Sequence, residues 1–197
     1  MKGKFLIITV FCLFLTNISQ AQILKQIIDA LAKEASNNEA AKSTPKDLVT
    51  QTFVVNSASK ARFSGGKTRE AIKINLPAGT KKWYYRVTVL DVNSSYSYQN
   101  NETFYYLLSN KKYMETYAPT NEAVDFYILG HSGDVASFLE TGNNNFKTYT
   151  SYTKIGTNSF IGDCTLNQEN LWIGIKNPNS MVGLKVIVEV VSWGNYN

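Results

Sequence analysis

Cysteine is nearly absent from this chain of 197 residues, which holds Cys12 and Cys164 alone. Cys12 lies inside an apolar N-terminal stretch, so the folded part has one cysteine and no internal disulfide to staple it. Its core must therefore be large enough by itself. Histidine is scarcer still: His131 stands alone. One histidine and one cysteine cannot supply the ligand sets usual for zinc, copper or haem. Acidic and amide side chains do gather at Asp125, Asp134, Glu140, Asn143, Asn144, Asn145 and Asp163, but no spacing among them matches an EF-hand loop. No metal or other cofactor is expected. Charge of one sign is also weak. The formal net charge of +5 falls to +3 once Lys2 and Lys4 are set aside, too small and scattered an excess for nucleic acid. Beyond the N-terminus no apolar run nears the ~20 residues of a membrane-spanning helix, so no integral span is expected. Residues 48–193 contain no internal repeat and no domain-sized linker, which points to one domain.

The N-terminus reads as an export signal over residues 1–21. Lys2 and Lys4 make a basic start, Phe5 to Leu15 an apolar middle, and Ser19-Gln20-Ala21 a small-residue cleavage site. Val10 and Phe11 precede Cys12 where a lipoprotein signal needs a small residue, so no lipid anchor is expected. The composition, rich in tyrosine and asparagine, suits a periplasmic, outer-surface or secreted protein. Residues 22–47 form an amphipathic helix and a linker. Ile23, Leu24, Ile27, Ile28 and Leu31 recur at helical spacing, with Lys25, Asp29 and Lys33 opposite, and Ser43-Thr44-Pro45 ends the segment.

From residue 48 to 197 the pattern changes to strands. Leu171, Ile173 and Ile175 alternate with polar positions, as do Leu184, Val186, Val188 and Val190, while Lys176, Lys185 and Glu189 take the other side. The Pro178/Asn179/Gly183 turn cluster between them predicts an antiparallel hairpin. A second hairpin is predicted from Ile72, Ile74 and Leu76, a Pro77-Ala78-Gly79 turn, and Trp83, Tyr85, Val87 and Val89, with Tyr84, Arg86 and Thr88 facing away. Further strands are expected at 48–55, 103–108 and 124–129, with weaker ones at 135–139 and 146–152. The expected fold is all-β: one antiparallel, jelly-roll-like β-sandwich of about eight or nine strands, preceded by the short helix.

Three local patterns bear on function. Ala61 to Thr68 matches a loose P-loop, but a strand follows it where phosphate binding needs a helix, so nucleotide chemistry is set aside. The same loop carries Lys60, Arg62, Lys67 and Arg69 beside Gly65-Gly66, a basic loop able to hold an anion or an acidic partner. Gly130-His131-Ser132-Gly133-Asp134 lacks the closing glycine of a nucleophile elbow, and a His131–Cys164 dyad would need two separate loops to meet. A small hydrolase using His131 is thus the remote alternative. Tyr96, Tyr98, Tyr105, Tyr106, Tyr113 and Tyr117 crowd one third of the chain, and Tyr84, Tyr127 and Trp172 lie opposite the apolar stripes. Such rings suit a protein interface or sugar stacking, or are simply buried under the helix and long loops.

The run Leu171 to Val191, with its aromatic-led strand, turn after Asn and long Val-rich strand, resembles the close of GOLD-type β-sandwich domains; Leu76 to Tyr85 is similar to an earlier strand pair of that fold. The resemblance spans roughly residues 70–192. It implies a non-catalytic adaptor or cargo-type interaction domain, although this chain has neither the transmembrane segment nor the disulfide pair. The expected function is a non-catalytic exported interaction module for a protein or a surface glycan or other polymer, not an enzyme. Its expected binding residues are Arg62, Lys67, Arg69, Tyr84, Tyr127 and Trp172. A carbohydrate-binding module is the alternative.

Overall fold

The structure, a computed structural model, describes residues 20–36, 43–112, 120 and 122–196. Helix α1 spans Gln20–Ser36. There follow β1 (Thr44–Val55), α2 (Ala58–Ser64), β2 (Arg69–Ile74), β3 (Thr80–Asp91), α3 (Phe104–Ser109), β4 (Val124–Leu129), α4 (Ser132–Leu139), β5 (Lys154–Thr157), β6 (Phe160–Cys164), β7 (Leu171–Lys176) and β8 (Leu184–Gly194). The strands form two four-stranded antiparallel sheets, in the orders β1-β8-β3-β6 and β2-β7-β4-β5.

Both sheets contribute to one core. Trp83, Tyr85, Val87 and Val89 of β3 and Leu184, Val186, Val188 and Val190 of β8 meet Ile72 and Ile74 of β2, Phe126 and Ile128 of β4, and Ile173 and Ile175 of β7. These are the inward positions predicted by two-residue alternation. An aromatic cluster fills the centre: Tyr85 stacks on Phe126 at 4.9 Å, and Phe160 meets both rings edge-on.

The two predicted hairpins are not hairpins. β2 and β3 lie in different sheets, and so do β7 and β8. Each turn cluster carries the chain across the core, so neighbours in sequence face one another from opposite layers. Alternation fixes which side chains point inward. It is the same whether the next strand pairs alongside or crosses over.

Two predicted strands are helices. Residues 103–108 coil as α3, where Thr103 accepts the Tyr106 N–H at 3.3 Å and Phe104, Leu107 and Leu108 are buried at one-turn spacing. Residues 135–139 belong to α4, and 146–152 is irregular chain ending in a 3₁₀ turn at Thr150–Tyr152. The pairing of β5 with β4 and of β6 with β3 comes instead from residues 154–164.

Neither sheet leaves its outer face wholly open. Leu24, Ile27, Ile28 and Leu31 of α1 pack with Phe104, Leu107 and Leu108 of α3 against Tyr84, Ile161, Val191 and Trp193 on the first sheet. On the second sheet, Phe138 of α4 and Phe146 cover Tyr127, Leu129 and Trp172. β3 and β8 are therefore buried on both faces, and that burial encloses an ion pair. Arg86 and Glu189, partners across β3 and β8, are 0% and 1% exposed beneath α3. No helix among the described residues is long and apolar enough to cross a membrane.

Candidate functional site

The basic stretch predicted as a loop has a built structure. Ser57 caps α2 by accepting the Lys60 N–H, and the chain leaves the helix through Gly65 and Gly66, both at positive φ. At Gly66 (φ +109°) a Cβ would also meet the Asn56 side chain, so this turn requires glycine. The turn returns the chain to Thr68 and Arg69, which opens β2.

Beside it lies a cleft of roughly 630 Å³, within the usual ~300–1,000 Å³ range of ligand pockets. Arg62 of α2, Arg69 of β2 and Lys176 of β7 line it, together with Thr68, Thr141 and Asn177. Sheet register explains the grouping. Arg69 is paired with Lys176, and Lys176 with Asp125 of β4, so the three side chains stand in a row on the outer face of one sheet.

The charges in this row are unequal. Lys176 Nζ is 3.1 Å from Asp125 Oδ2, and Asp125 Oδ1 accepts the Gly156 N–H at 3.0 Å. Arg69 instead donates to neutral acceptors, the carbonyls of Phe138, Glu140 and Asn143 and the side-chain oxygen of Asn144. Its guanidinium lies 5.6 and 5.9 Å from the Phe138 and Phe146 ring centres. It thus caps the C-terminal carbonyls of α4 while retaining its charge. Arg62 is exposed and forms no ion pair among the described residues. Three cations thus line the cleft, and of these Lys176 is paired with Asp125. Asn177, 3% exposed, also lines the cleft and donates to the carbonyls of Val55, Asn56 and Val182.

Of the six residues selected from the sequence, Arg62 and Arg69 line the cleft. Lys67 is next to it, exposed, and 3.5 Å from Glu70. Tyr84 is 3% exposed beneath α1, and Tyr127, at 9%, packs edge-on against Phe138 and Phe146. Desolvation, then the nearby Asp125 carboxylate, pushes the Tyr127 hydroxyl up to about 12. Trp172 is half-buried with Lys73 Nζ 5.7 Å from its ring centre. Lys176, Thr68, Thr141 and Asn177 also line the cleft and are not among those six. For Lys176 a signal was present, since alternation along 171–176 places it on the outer face.

His131 is the exposed N-cap residue of α4, and its side chain makes no capping bond. Cys164 is 0% exposed within the core. Burial raises its thiol to about 11, so it stays protonated at neutral pH. The acidic residues noted for calcium are spread over separate tasks: Asp134 accepts the Lys147 N–H, Glu140 holds Asn143, and Asp163 pairs with Lys82 at 2.7 Å. Among the described residues no three or more His, Cys, Asp and Glu stand where they could share a metal ion. In the tyrosine-rich region, Tyr98 stacks on Arg86 at 3.7 Å and hydrogen-bonds Thr88, while Tyr105 is exposed. Tyr113 and Tyr117 lie outside the described residues.

The sequence matches no protein-family model and no curated protein.

Proposed function

We propose that this chain is a non-catalytic interaction module, exported by its N-terminal signal, that holds an anionic group of a protein or surface polymer in the cleft between α2 and the outer face of β2-β7-β4. The observation that carries this reading is the lining of the cleft by three cations, Arg62, Arg69 and Lys176, of which only Lys176 is paired with a carboxylate, that of Asp125. An anion there would gain charge-assisted hydrogen bonds, with exposed Arg62 as the clamp and Arg69 and Lys176 as fixed positive charge. The fold we assign is a β-sandwich of the jelly-roll type. Its support is the pairing of β1 with β8, β2 with β7, β3 with β6 and β4 with β5, the pattern of one long hairpin rolled on itself. An interaction role is also what a GOLD-type resemblance implies.

The carbohydrate reading has a narrower basis. Of the three outward rings, Tyr84 and Tyr127 are buried, and Trp172 keeps a partly open face. Affinity electrophoresis of residues 22–197 through gels carrying acidic and neutral polysaccharides separates the two. The cleft reading expects retardation by acidic polymers, lost in Arg62→Glu and kept in Trp172→Ala. Retardation by neutral polymers that depends on Trp172 would overturn it in favour of sugar stacking.

A further inference from the structure

Phe63 and Met181 are 80% and 77% exposed, the highest values among the large apolar side chains described. They belong to separate segments, α2 and the β7–β8 crossover, yet these segments are joined. The backbone N–H groups of Ala58 and Ser59 donate to the carbonyls of Asn179 and Ser180 at 3.1 and 2.9 Å. Ser59 Oγ is 3.5 Å from Met181 Sδ, and Phe63 stands one helical turn beyond Ser59 on the same side of α2. Buried Asn177 pins the crossover to the end of β1 through Val55 and Asn56. The two apolar side chains thus project together from a braced platform. Their exposure does not come from an unpacked tail.

The two segments that bear them carry one sign of charge, and Glu70, paired with Lys67 at 3.5 Å, lies just outside them. Residues 56–68 contain Lys60, Arg62 and Lys67 and no acidic residue, and residues 177–183 contain no charged residue. A protein interface of ordinary stability needs about 800 Å² on each side. Phe63 and Met181 are two apolar side chains, one of them flanked in sequence by cations, a smaller apolar contact than that. They fit an interface that is apolar below and anionic above, which is the boundary of a bilayer containing acidic lipid.

We infer that the α2 tip and the β7–β8 crossover form a peripheral docking site for an anionic lipid bilayer, with Phe63 and Met181 entering the acyl boundary and Lys60, Arg62 and Lys67 lying among the headgroups. Arg62 is shared with the cleft; Arg69 and Lys176 take no part in the insertion step.

Flotation of the protein with phosphatidylglycerol-containing vesicles and with pure phosphatidylcholine vesicles tests the inference. Binding to the acidic vesicles is expected, weakened by salt. Phe63→Ser and Met181→Ser should each reduce it on the order of tenfold, the scale of one withdrawn apolar side chain. Both residues are exposed, so circular dichroism should show an unchanged fold. In Phe63→Trp, the added indole emission should shift to the blue on the acidic vesicles and stay unshifted with phosphatidylcholine. No flotation of the parent protein would overturn the inference. So would flotation indifferent to both serine variants, which would leave headgroup or polymer attraction at the cleft as the cause. Unchanged flotation in Lys176→Ala, beside lost retardation on acidic-polymer gels, would separate this site from the cleft.

Discussion

Replacing Arg86 with Met would leave the Glu189 carboxylate sealed at 1% exposure with one remaining hydrogen bond, from the Phe104 N–H at 2.8 Å. In the parent protein Arg86 Nε donates to that carboxylate at 2.6 Å, Nη2 donates to the Glu102 carbonyl at 2.8 Å, and the guanidinium lies on the Tyr98 ring. Breaking a buried pair from one side costs about 3–5 kcal/mol, because the surviving charge is uncompensated. A domain of this kind has about 5–15 kcal/mol in total. Removing both charges, in Arg86→Met/Glu189→Leu, changes the balance. Arg86 Nη1 already has no partner, so that defect disappears with the pair. The main new defect is an unpaired Phe104 N–H, worth ~1–3 kcal/mol. The double variant should therefore be about 2 kcal/mol more stable than Arg86→Met alone, although it carries one more substitution. Urea unfolding followed by the fluorescence of Trp83, Trp172 and Trp193 would read this as a midpoint ~1 M higher in the double variant, for a slope of ~2 kcal/mol/M. A single variant that loses less than ~1 kcal/mol, or a double variant no more stable than the single, would refute the reasoning.

Arg69→Lys keeps the charge but loses the planar fork that reaches Phe138, Glu140, Asn143 and Asn144. A loss of ~1–3 kcal/mol is expected in urea unfolding, with hydrogen exchange faster first in α4 and residues 140–144. Cys164 gives a pH test. Its thiol rises from 9.0 to about 11 on folding, chiefly by desolvation, so folding favours the protonated form. That contribution is complete below pH 9 and lost as pH rises towards about 11. Thermal unfolding across this window should fall more steeply in the parent than in Cys164→Ala; equal slopes would sink the assignment. Tyrosine ionisation acts in both proteins, so their difference isolates the thiol.

The sequence determined by itself which residues of β3 and β8 face the core between the two sheets. Trp83, Tyr85, Val87 and Val89, and likewise Leu184 to Val190, were legible because backbone pleating alternates side chains whatever the strand pairs with. The apolar stripe of α1 was legible for the same kind of reason, with a period of 3.6. The basic character of residues 60–69 needed only reading. The tertiary structure decided the rest. Whether β7 pairs with β8 or crosses to the other sheet depends on contacts far away in sequence, and a turn rich in Pro, Asn and Gly serves either. A helix as short as α3 carries too few residues for its period to stand out from a strand. Arg69 and Arg62 look alike as letters in one basic run, yet Arg69 is buried and caps α4 while Arg62 is exposed at the cleft, 5.7 Å from the Phe63 ring centre. Lys176 enters the cleft because sheet register sets it beside Arg69. Register is a non-local property, fixed only when the two layers close over their common core.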